Sequence, residues 1–170
     1  DLTIDCMNLR RNSKQVATPG NREWEKCSAT PLTEKVVTHF RATAARGLFL
    51  SQDRSDLSYA TKELCREMSN PTQQSLVKLK SMARYLLKVP RVGTMFEYQG
   101  EVNHDLVHVD SDYAGCVRTR KSTSGGVMKF GSHVIKHWSS TQLVIALSSG
   151  EAEYYAIVKG ASQALGLKGL

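Results

Sequence analysis

Residues 105–115 read DLVHVDSDYAG and residues 145–154 read IALSSGEAEY, and these two stretches decide the fold. Apolar and polar residues alternate in the first stretch, which predicts a half-buried strand that ends near Asp110. In the second stretch, serine and glutamate residues precede an apolar helical pattern, which predicts the N-terminus of a helix. An acid at the end of a strand and acids at the start of a helix can together begin a site for divalent cations.

The sequence around these stretches predicts a small antiparallel sheet followed by one helix. Gly131 and Ser132 have the composition of a two-residue hairpin turn between the second and third strands. The helix is expected from about residue 150 to residue 165. The strands are expected at 105–111, 124–130 and 133–139, and a further alternating segment predicts an additional strand at 93–99.

The region before the sheet predicts three helices, because its apolar residues recur three and four positions apart. Proline residues near the helix boundaries support this division. The helices are expected at 31–51, from Ser51 or Asp53 to about Met68, and from Pro71 to Val89. This order predicts an α+β fold with three parts: a tail and linker at 1–30, a helical region at 31–90 and a sheet-containing region at 91–170.

The chain is basic, with 23 lysine and arginine residues against 16 aspartates and glutamates and a formal net charge of +7. Such an excess suggests contact with nucleic acid, although an ordinary basic surface has the same composition. Two patterns favour nucleic acid. The first is a basic stripe along one helix face, although a solvated face would have the same pattern. The second is the stretch 113–150, which has no acidic residues. The candidate contacts are Lys80, Arg84 and Lys88 in the stripe and Arg118, Arg120 and Lys121 in the stretch.

Other sequence features bear on the class of protein. No apolar run approaches the roughly 18 residues that a membrane-spanning helix needs, so no membrane partner is expected. The four cysteines are irregularly spaced, which favours reduced thiols in an intracellular protein. Two pairs of histidines lie four residues apart in strand-like sequence, where that spacing is about 13 Å and too long for one zinc ion.

The acidic residues near the predicted strand and helix ends come in two pairs. Asp110 and Asp112 share a strand face, and we rank Asp110 first because it remains within the strand, with Asp112 as a possible neighbour. Glu151 and Glu153 differ by about 200° around a helix axis, so they cannot both bind one ion.

Their positions in the helix separate the two glutamates. We expect Glu151 to act as a partner of the helix dipole. Glu153 is expected on the packing face, on an apolar arc with Ile157, Gly160 and Ala164. A buried lone carboxylate is costly unless it is paired or bound to metal, so Glu153 is the stronger candidate.

Several motifs resemble the RNase H segment of copia-type retrotransposon Pol polyproteins in order and spacing. They are VDSDYAG at 109–115, TRKSTSGG at 119–126, WSS at 138–140 and ALSSGEAEY at 146–154. Upstream motifs resemble the linker and the helical connection region that follows the reverse transcriptase palm in the same family. They are VATPG at 16–20, RSDL at 54–57, MSNP at 68–71 and RYL at 84–86.

The resemblance implies an RNase H-like fold, here truncated to a three-stranded meander and its first helix. It implies hydrolysis of the RNA strand of RNA–DNA hybrids with two Mg²⁺ ions, and its first aspartate and its glutamate match Asp110 and Glu153. Tyr113 stands where the family commonly has tryptophan. The family's later catalytic aspartates follow the first helix, so residues 1–170 are expected to hold an incomplete metal-ligand set.

The resemblance also implies partners and a location. The expected partners are an RNA–DNA hybrid or other nucleic acid and the remainder of a Pol polyprotein, within a cytoplasmic particle or the nucleus. Two other functions stay open from the sequence: a non-catalytic nucleic-acid-binding remnant and a purely structural segment of such a polyprotein.

Overall fold

The computed structural model describes residues 9, 13–20, 30–102 and 104–169, so most of the predicted tail at 1–30 lies outside the described residues. The chain forms two compact units, residues 1–93, here called the helical unit, and residues 94–170, here called the sheet unit. The helical unit holds helices and the sheet unit holds a three-stranded sheet with one helix. The predicted α+β fold is therefore confirmed.

The helical unit contains the three predicted helices. They are α1 (Glu34–Leu50), α2 (Ser58–Arg66) and α3 (Gln73–Lys88), with a short 3₁₀ turn (Ser55–Leu57) before α2. The prediction that Ser51 or Asp53 starts the second helix is wrong. Ser51 instead ends α1, where its backbone N–H and its hydroxyl donate to the carbonyls of Gly47 and Leu48. These contacts use the serine as a C-terminal cap.

Large apolar side chains fill the interior of the helical unit. Phe40, Leu57, Leu64, Leu79 and Met82 are 0% exposed. Gly47 lies where α1 approaches α3 closely, since an added Cβ would lie 3.0 Å from the Met82 Cε atom. The three helices thus bury one continuous cluster of side chains.

A polar network connects the start of α2 to the end of α3. Arg54 donates two hydrogen bonds to the Asp56 carboxylate, at 3.0 and 2.7 Å, and a third to the Val89 carbonyl at 3.1 Å. The Tyr85 hydroxyl donates to the same carboxylate at 2.7 Å. Hydrogen bonding from Arg54 holds the pKa of Asp56 below its ordinary value. The network therefore stabilises the ionised form of this aspartate.

The sheet unit has three antiparallel strands in chain order, as predicted. They are β1 (Asp105–Asp112), β2 (Thr123–Phe130) and β3 (His133–Thr141). The predicted turn at Gly131 and Ser132 connects β2 to β3. Gly131 has a φ of +59°, a value that glycine adopts without strain. The predicted strand boundaries agree with the observed ones to within two residues.

The prediction of an additional strand at 93–99 is wrong. These residues have no regular secondary structure, and all except Gln99 are exposed. Gln99 contacts the β2–β3 turn through its side chain, accepting from the Ser132 N–H at 2.9 Å and donating to the Phe130 carbonyl at 3.1 Å. The Phe96 ring also packs edge-on against the His133 ring, with 5.1 Å between ring centroids. Side chains thus connect the segment to the sheet, instead of a backbone ladder.

The final helix, α4 (Ser149–Lys168), packs on one face of the sheet through small residues. Ala152, Ala156 and Gly160 are buried, and an added Cβ on Gly160 would lie 2.5 Å from the Val109 Cγ1 atom. The expectation that Ile157 lies on the packing face together with Glu153 is wrong, since Ile157 is 55% exposed. Small side chains let the helix backbone approach the sheet, so the larger ones point away from it.

Candidate functional site

Asp110 lies near the end of β1 with its side chain exposed. Its register partner on β2 is Gly125, and strand alternation places it on the sheet face opposite Val107 and Val109. Because α4 packs against those two valines, Asp110 is on the face that α4 leaves uncovered. Among the described residues, its carboxylate makes no hydrogen bond or ion pair.

Asp112 is bound into the end of the sheet. Its Oδ1 atom accepts a hydrogen bond from the backbone N–H of Thr123. Its Oδ2 atom lies against Gly115, where an added Cβ would be only 2.0 Å away. The carboxylate is therefore directed into the base of the loop that follows β1.

Glu151 is bound into the N-terminus of α4. Its carboxylate accepts from the Leu147 N–H at 2.7 Å and from the Tyr155 hydroxyl at 3.1 Å, which holds the pKa of Tyr155 above its ordinary value. Its own N–H donates to the Ser148 hydroxyl at 3.1 Å. These contacts form a helix cap and agree with the helix-terminus role predicted for Glu151.

Glu153 is half-buried in the first turns of α4 and lies at the edge of the packing face. Within the part of the chain that the structure describes, its carboxylate has no hydrogen-bond or ion-pair partner. Each pair of acids thus contains one carboxylate used by local structure and one without a partner. The described residues include no group of three or more His, Cys, Asp or Glu side chains that could hold a metal ion.

The basic stripe on α3 differs in part from the prediction. Lys80 and Lys88 are exposed, as expected, but Arg84 is half-buried and its Nε atom is buried without a hydrogen-bond partner. Sequence reasoning missed Lys78, which is buried and forms an ion pair with Glu67. Its position one helical turn before Met82 could have indicated that it lies on the buried side.

The basic residues after β1 lie in a closed loop. Arg118 and Arg120 are exposed, whereas Lys121 is half-buried and donates to the Leu143 carbonyl at 2.6 Å. Arg120 has a φ of 55°, in the left-handed region that is uncommon for residues with a side chain. Two cations of this loop are therefore exposed, whereas the third makes a hydrogen bond within the sheet unit.

Sequence reasoning also missed a set of buried polar residues that connect this loop to α4. Ser122 is 0% exposed and its hydroxyl accepts from the Ala114 N–H at 3.0 Å. The Gln142 amide donates to the Ser124 hydroxyl at 3.0 Å and to the Ala152 carbonyl at 2.8 Å. The two serines belong to the TRKSTSGG motif, whose polar composition indicated a loop but no buried contacts.

Comparison of the sequence with known proteins places the chain in a family. The chain is 33% identical over 136 residues to the retrovirus-related Pol polyprotein from transposon RE1 of Arabidopsis thaliana, across 80% of its own length. It is 28% identical over 175 residues to the Pol polyprotein from transposon TNT 1-94 of Nicotiana tabacum, across 99% of its length. The chain belongs to the family of retrovirus-related Pol polyproteins from copia-type transposons.

Within this Pol family the chain corresponds to a small part of a larger protein. It spans 9% of the RE1 polyprotein and 13% of the TNT 1-94 polyprotein. A different relative has similar length: secreted RxLR effector protein 161 of Plasmopara viticola is 33% identical over 134 residues, and the chain spans 93% of it. No family model and no solved structure matches the chain. None of the described helices is long and apolar enough to cross a membrane.

Proposed function

We propose that this chain supplies part of an RNase H-type nuclease within a Pol polyprotein, acting on the RNA strand of RNA–DNA hybrids. The contrast within the two acid pairs carries the proposal. Asp112 and Glu151 are held by backbone N–H groups, whereas Asp110 and Glu153 have no partner among the described residues. Mg²⁺ prefers oxygen ligands such as carboxylates, and the oxygens of Asp110 and Glu153 are not used by other contacts of the described residues.

Asp110 and Glu153 are the residues that would hold Mg²⁺, with Asp112 and Glu151 outside the metal-binding set. Asp110 lies on the sheet face that α4 leaves uncovered, so an ion shared with Glu153 requires the Glu153 side chain to reach the end of β1. Bound Mg²⁺ would stabilise charge that develops on the phosphate oxygens and activate the attacking water. Two carboxylates bind divalent ions weakly, since a two-metal site uses several acids together with substrate phosphate. We therefore expect little hydrolysis by residues 1–170 alone.

The exposed cations supply the second part of the proposal. Lys80, Lys88, Arg118 and Arg120 are exposed and could contact phosphates of the hybrid. We place this activity inside the cell, in a cytoplasmic particle or the nucleus, together with the remainder of the polyprotein.

The test is cleavage of a labelled RNA–DNA hybrid in the presence of Mg²⁺. It compares the chain with a form extended beyond residue 170 by the matching region of the RE1 polyprotein. In the extended form, we expect Asp110→Asn and Glu153→Gln to reduce cleavage by on the order of 100-fold or more, because each removes a metal ligand. The matched controls, Asp112→Asn and Glu151→Gln, should reduce it far less.

Two results would contradict this assignment. Equal losses from Glu151→Gln and Glu153→Gln would show that the choice between the glutamates is wrong. An extended form that binds the hybrid and never cleaves it would favour a second candidate function, a non-catalytic nucleic-acid-binding or structural remnant. The chain spans 93% of the short effector protein, and this match supports the second function because it shows a related sequence of similar length that is not named a Pol polyprotein.

A further inference from the structure

Residues 113–122, here called the arginine loop, connect β1 to β2 and are closed by hydrogen bonds at several levels. Within the loop, the Arg120 N–H donates to the Cys116 carbonyl at 2.7 Å and the Cys116 N–H donates to the Lys121 carbonyl at 3.1 Å. Nearer the sheet, the buried Ser122 hydroxyl accepts from the Ala114 N–H at 3.0 Å. The backbone of this loop is therefore held in one conformation.

The Asp112 carboxylate closes the base of the arginine loop. One oxygen accepts from the Thr123 N–H, the first residue of β2, and the other lies against Gly115. An added Cβ at Gly115 would overlap that oxygen at 2.0 Å, so the loop backbone passes directly over the carboxylate. Asp112, the last residue of β1, thus binds the first residue of β2 and supports the loop between the two strands.

The loop presents two cations that its own contacts do not use. Arg118 and Arg120 are exposed, and neither guanidinium has an ion-pair or hydrogen-bond partner among the described residues. Lys121, in contrast, donates to the Leu143 carbonyl and fixes the loop to the segment before α4. The whole stretch 113–150 has no acidic residue that could neutralise them.

We propose that Asp112 is a positioning residue, which holds the arginine loop so that Arg118 and Arg120 bind two phosphates of the nucleic acid. The inference deepens the proposed function and depends on it, since the phosphates belong to the RNA–DNA hybrid. It assigns Asp110 and Asp112 of β1 to different tasks: Asp110 to metal and Asp112 to the geometry of the phosphate contact.

The first experiment measures binding of an RNA–DNA hybrid to the full chain without divalent metal, across a series of salt concentrations. The double variant Arg118→Gln/Arg120→Gln should lower the slope of log K against log salt by about 2, because each lost phosphate contact retains roughly one counterion. The matched control, Lys136→Gln/Lys168→Gln, removes the same charge at other exposed positions of the sheet unit. It should leave the slope nearly unchanged.

The second experiment separates positioning from charge. Asparagine keeps an oxygen that accepts from the Thr123 N–H, so Asp112→Asn should bind the hybrid within about 2-fold of wild type. Asp112→Ala removes the acceptor and should lose as much affinity and slope as the double arginine variant. Where Asp112→Ala does not fold, Asp112→Asn replaces it, with exchange protection of the Thr123 amide measured beside affinity for the hybrid. Protection and affinity that are retained or lost together support the proposal, whereas lost protection with retained affinity, or retained protection with lost affinity, overturns it.

The outcomes distinguish this inference from the proposed function. Absence of hybrid binding by the wild-type chain would overturn both. Hybrid binding whose salt slope is insensitive to the arginine pair, or an Asp112→Ala variant that binds like wild type, would overturn the inference alone. Loss of Mg²⁺-dependent cleavage in Asp112→Asn equal to that in Asp110→Asn, with binding intact, would make Asp112 a metal ligand and also overturn it.

Discussion

The helical unit and the sheet unit reach a packed interior by opposite means. The helical unit buries large side chains completely, among them Phe40, Leu79 and Met82 at 0% exposure. In the sheet unit, the residues buried completely are mostly small, such as Ala152, Ala156 and Ser122. Large side chains fill the interior of the first unit, whereas the second unit relies mainly on close approach of backbones, with Met128 as a large side chain that is 1% exposed.

The same contrast appears at the surface. Large apolar side chains of the sheet unit are exposed on the outer side of α4 and in the segment before it, with Leu143 89% exposed and Leu165 71% exposed. Substitutions in the helical unit should therefore act by creating cavities, whereas substitutions in the sheet unit should act by overpacking or have little effect.

The largest effect is expected from Phe40→Ala in the helical unit. Phe40 is fully buried, and removing its ring should lower the free energy of unfolding by about 4 kcal/mol through lost transfer energy and a residual cavity. Urea unfolding followed by far-UV circular dichroism measures the change. Phe49→Ala is the matched control, since Phe49 is 72% exposed. Equal effects at the two positions would contradict the description of this core.

The next effect is expected at the polar network of the helical unit. Asp56→Asn should lower the free energy of unfolding by about 2 kcal/mol at neutral pH, because it weakens charge-assisted hydrogen bonds from Arg54. The folded-state pKa of Asp56 is lowered from 3.8, so its contribution is present above that pH and is lost as the pH falls below it. The difference between variant and wild type should shrink in urea titrations below this pH. A constant difference would contradict the assigned cause.

Much of the backbone could be predicted from the sequence, because periodicity reports the exposure of each element. The helical spacing around Phe40 and the alternation from Leu106 to Asp110 both gave elements close to the observed ones. The segment 93–99 alternates without a backbone partner, so its pattern alone could not distinguish a strand from an exposed linker.

The candidate site was less predictable, because it depends on which hydrogen bonds each acid makes. The dipole role of Glu151 followed from its place in the first turn. The engagement of Asp112 depends on Thr123 and Gly115, which meet it only after the loop closes. The packing face of α4 was also misplaced, since hydrophobicity favoured Ile157 while close approach selected Gly160.

A smaller effect, opposite in sign at two positions, is expected from glycines of α4. Gly160→Ala should destabilise the sheet unit by about 1–2 kcal/mol, because the new Cβ would lie 2.5 Å from the Val109 Cγ1 atom. Gly166→Ala, whose Cβ would meet nothing within 4 Å, should stabilise it by about 0.5–1 kcal/mol through helix propensity. Fluorescence of Trp138 during urea unfolding, in a Trp24→Phe background, reports on this unit. Destabilisation by both variants would contradict packing through Gly160.

The smallest effect is expected from Leu165→Ser on the outer side of α4. Leu165 is 71% exposed, so serine should change the free energy of unfolding of the sheet unit by no more than about 0.5 kcal/mol. Helix propensity alone accounts for a few tenths of this amount. The measurement is the Trp138 urea titration used for the glycine variants, and Leu79→Ser in the helical core is the contrasting substitution. A loss above about 1.5 kcal/mol at Leu165 would show that this side chain is covered in solution, and the sheet unit would then bury large side chains as the helical unit does.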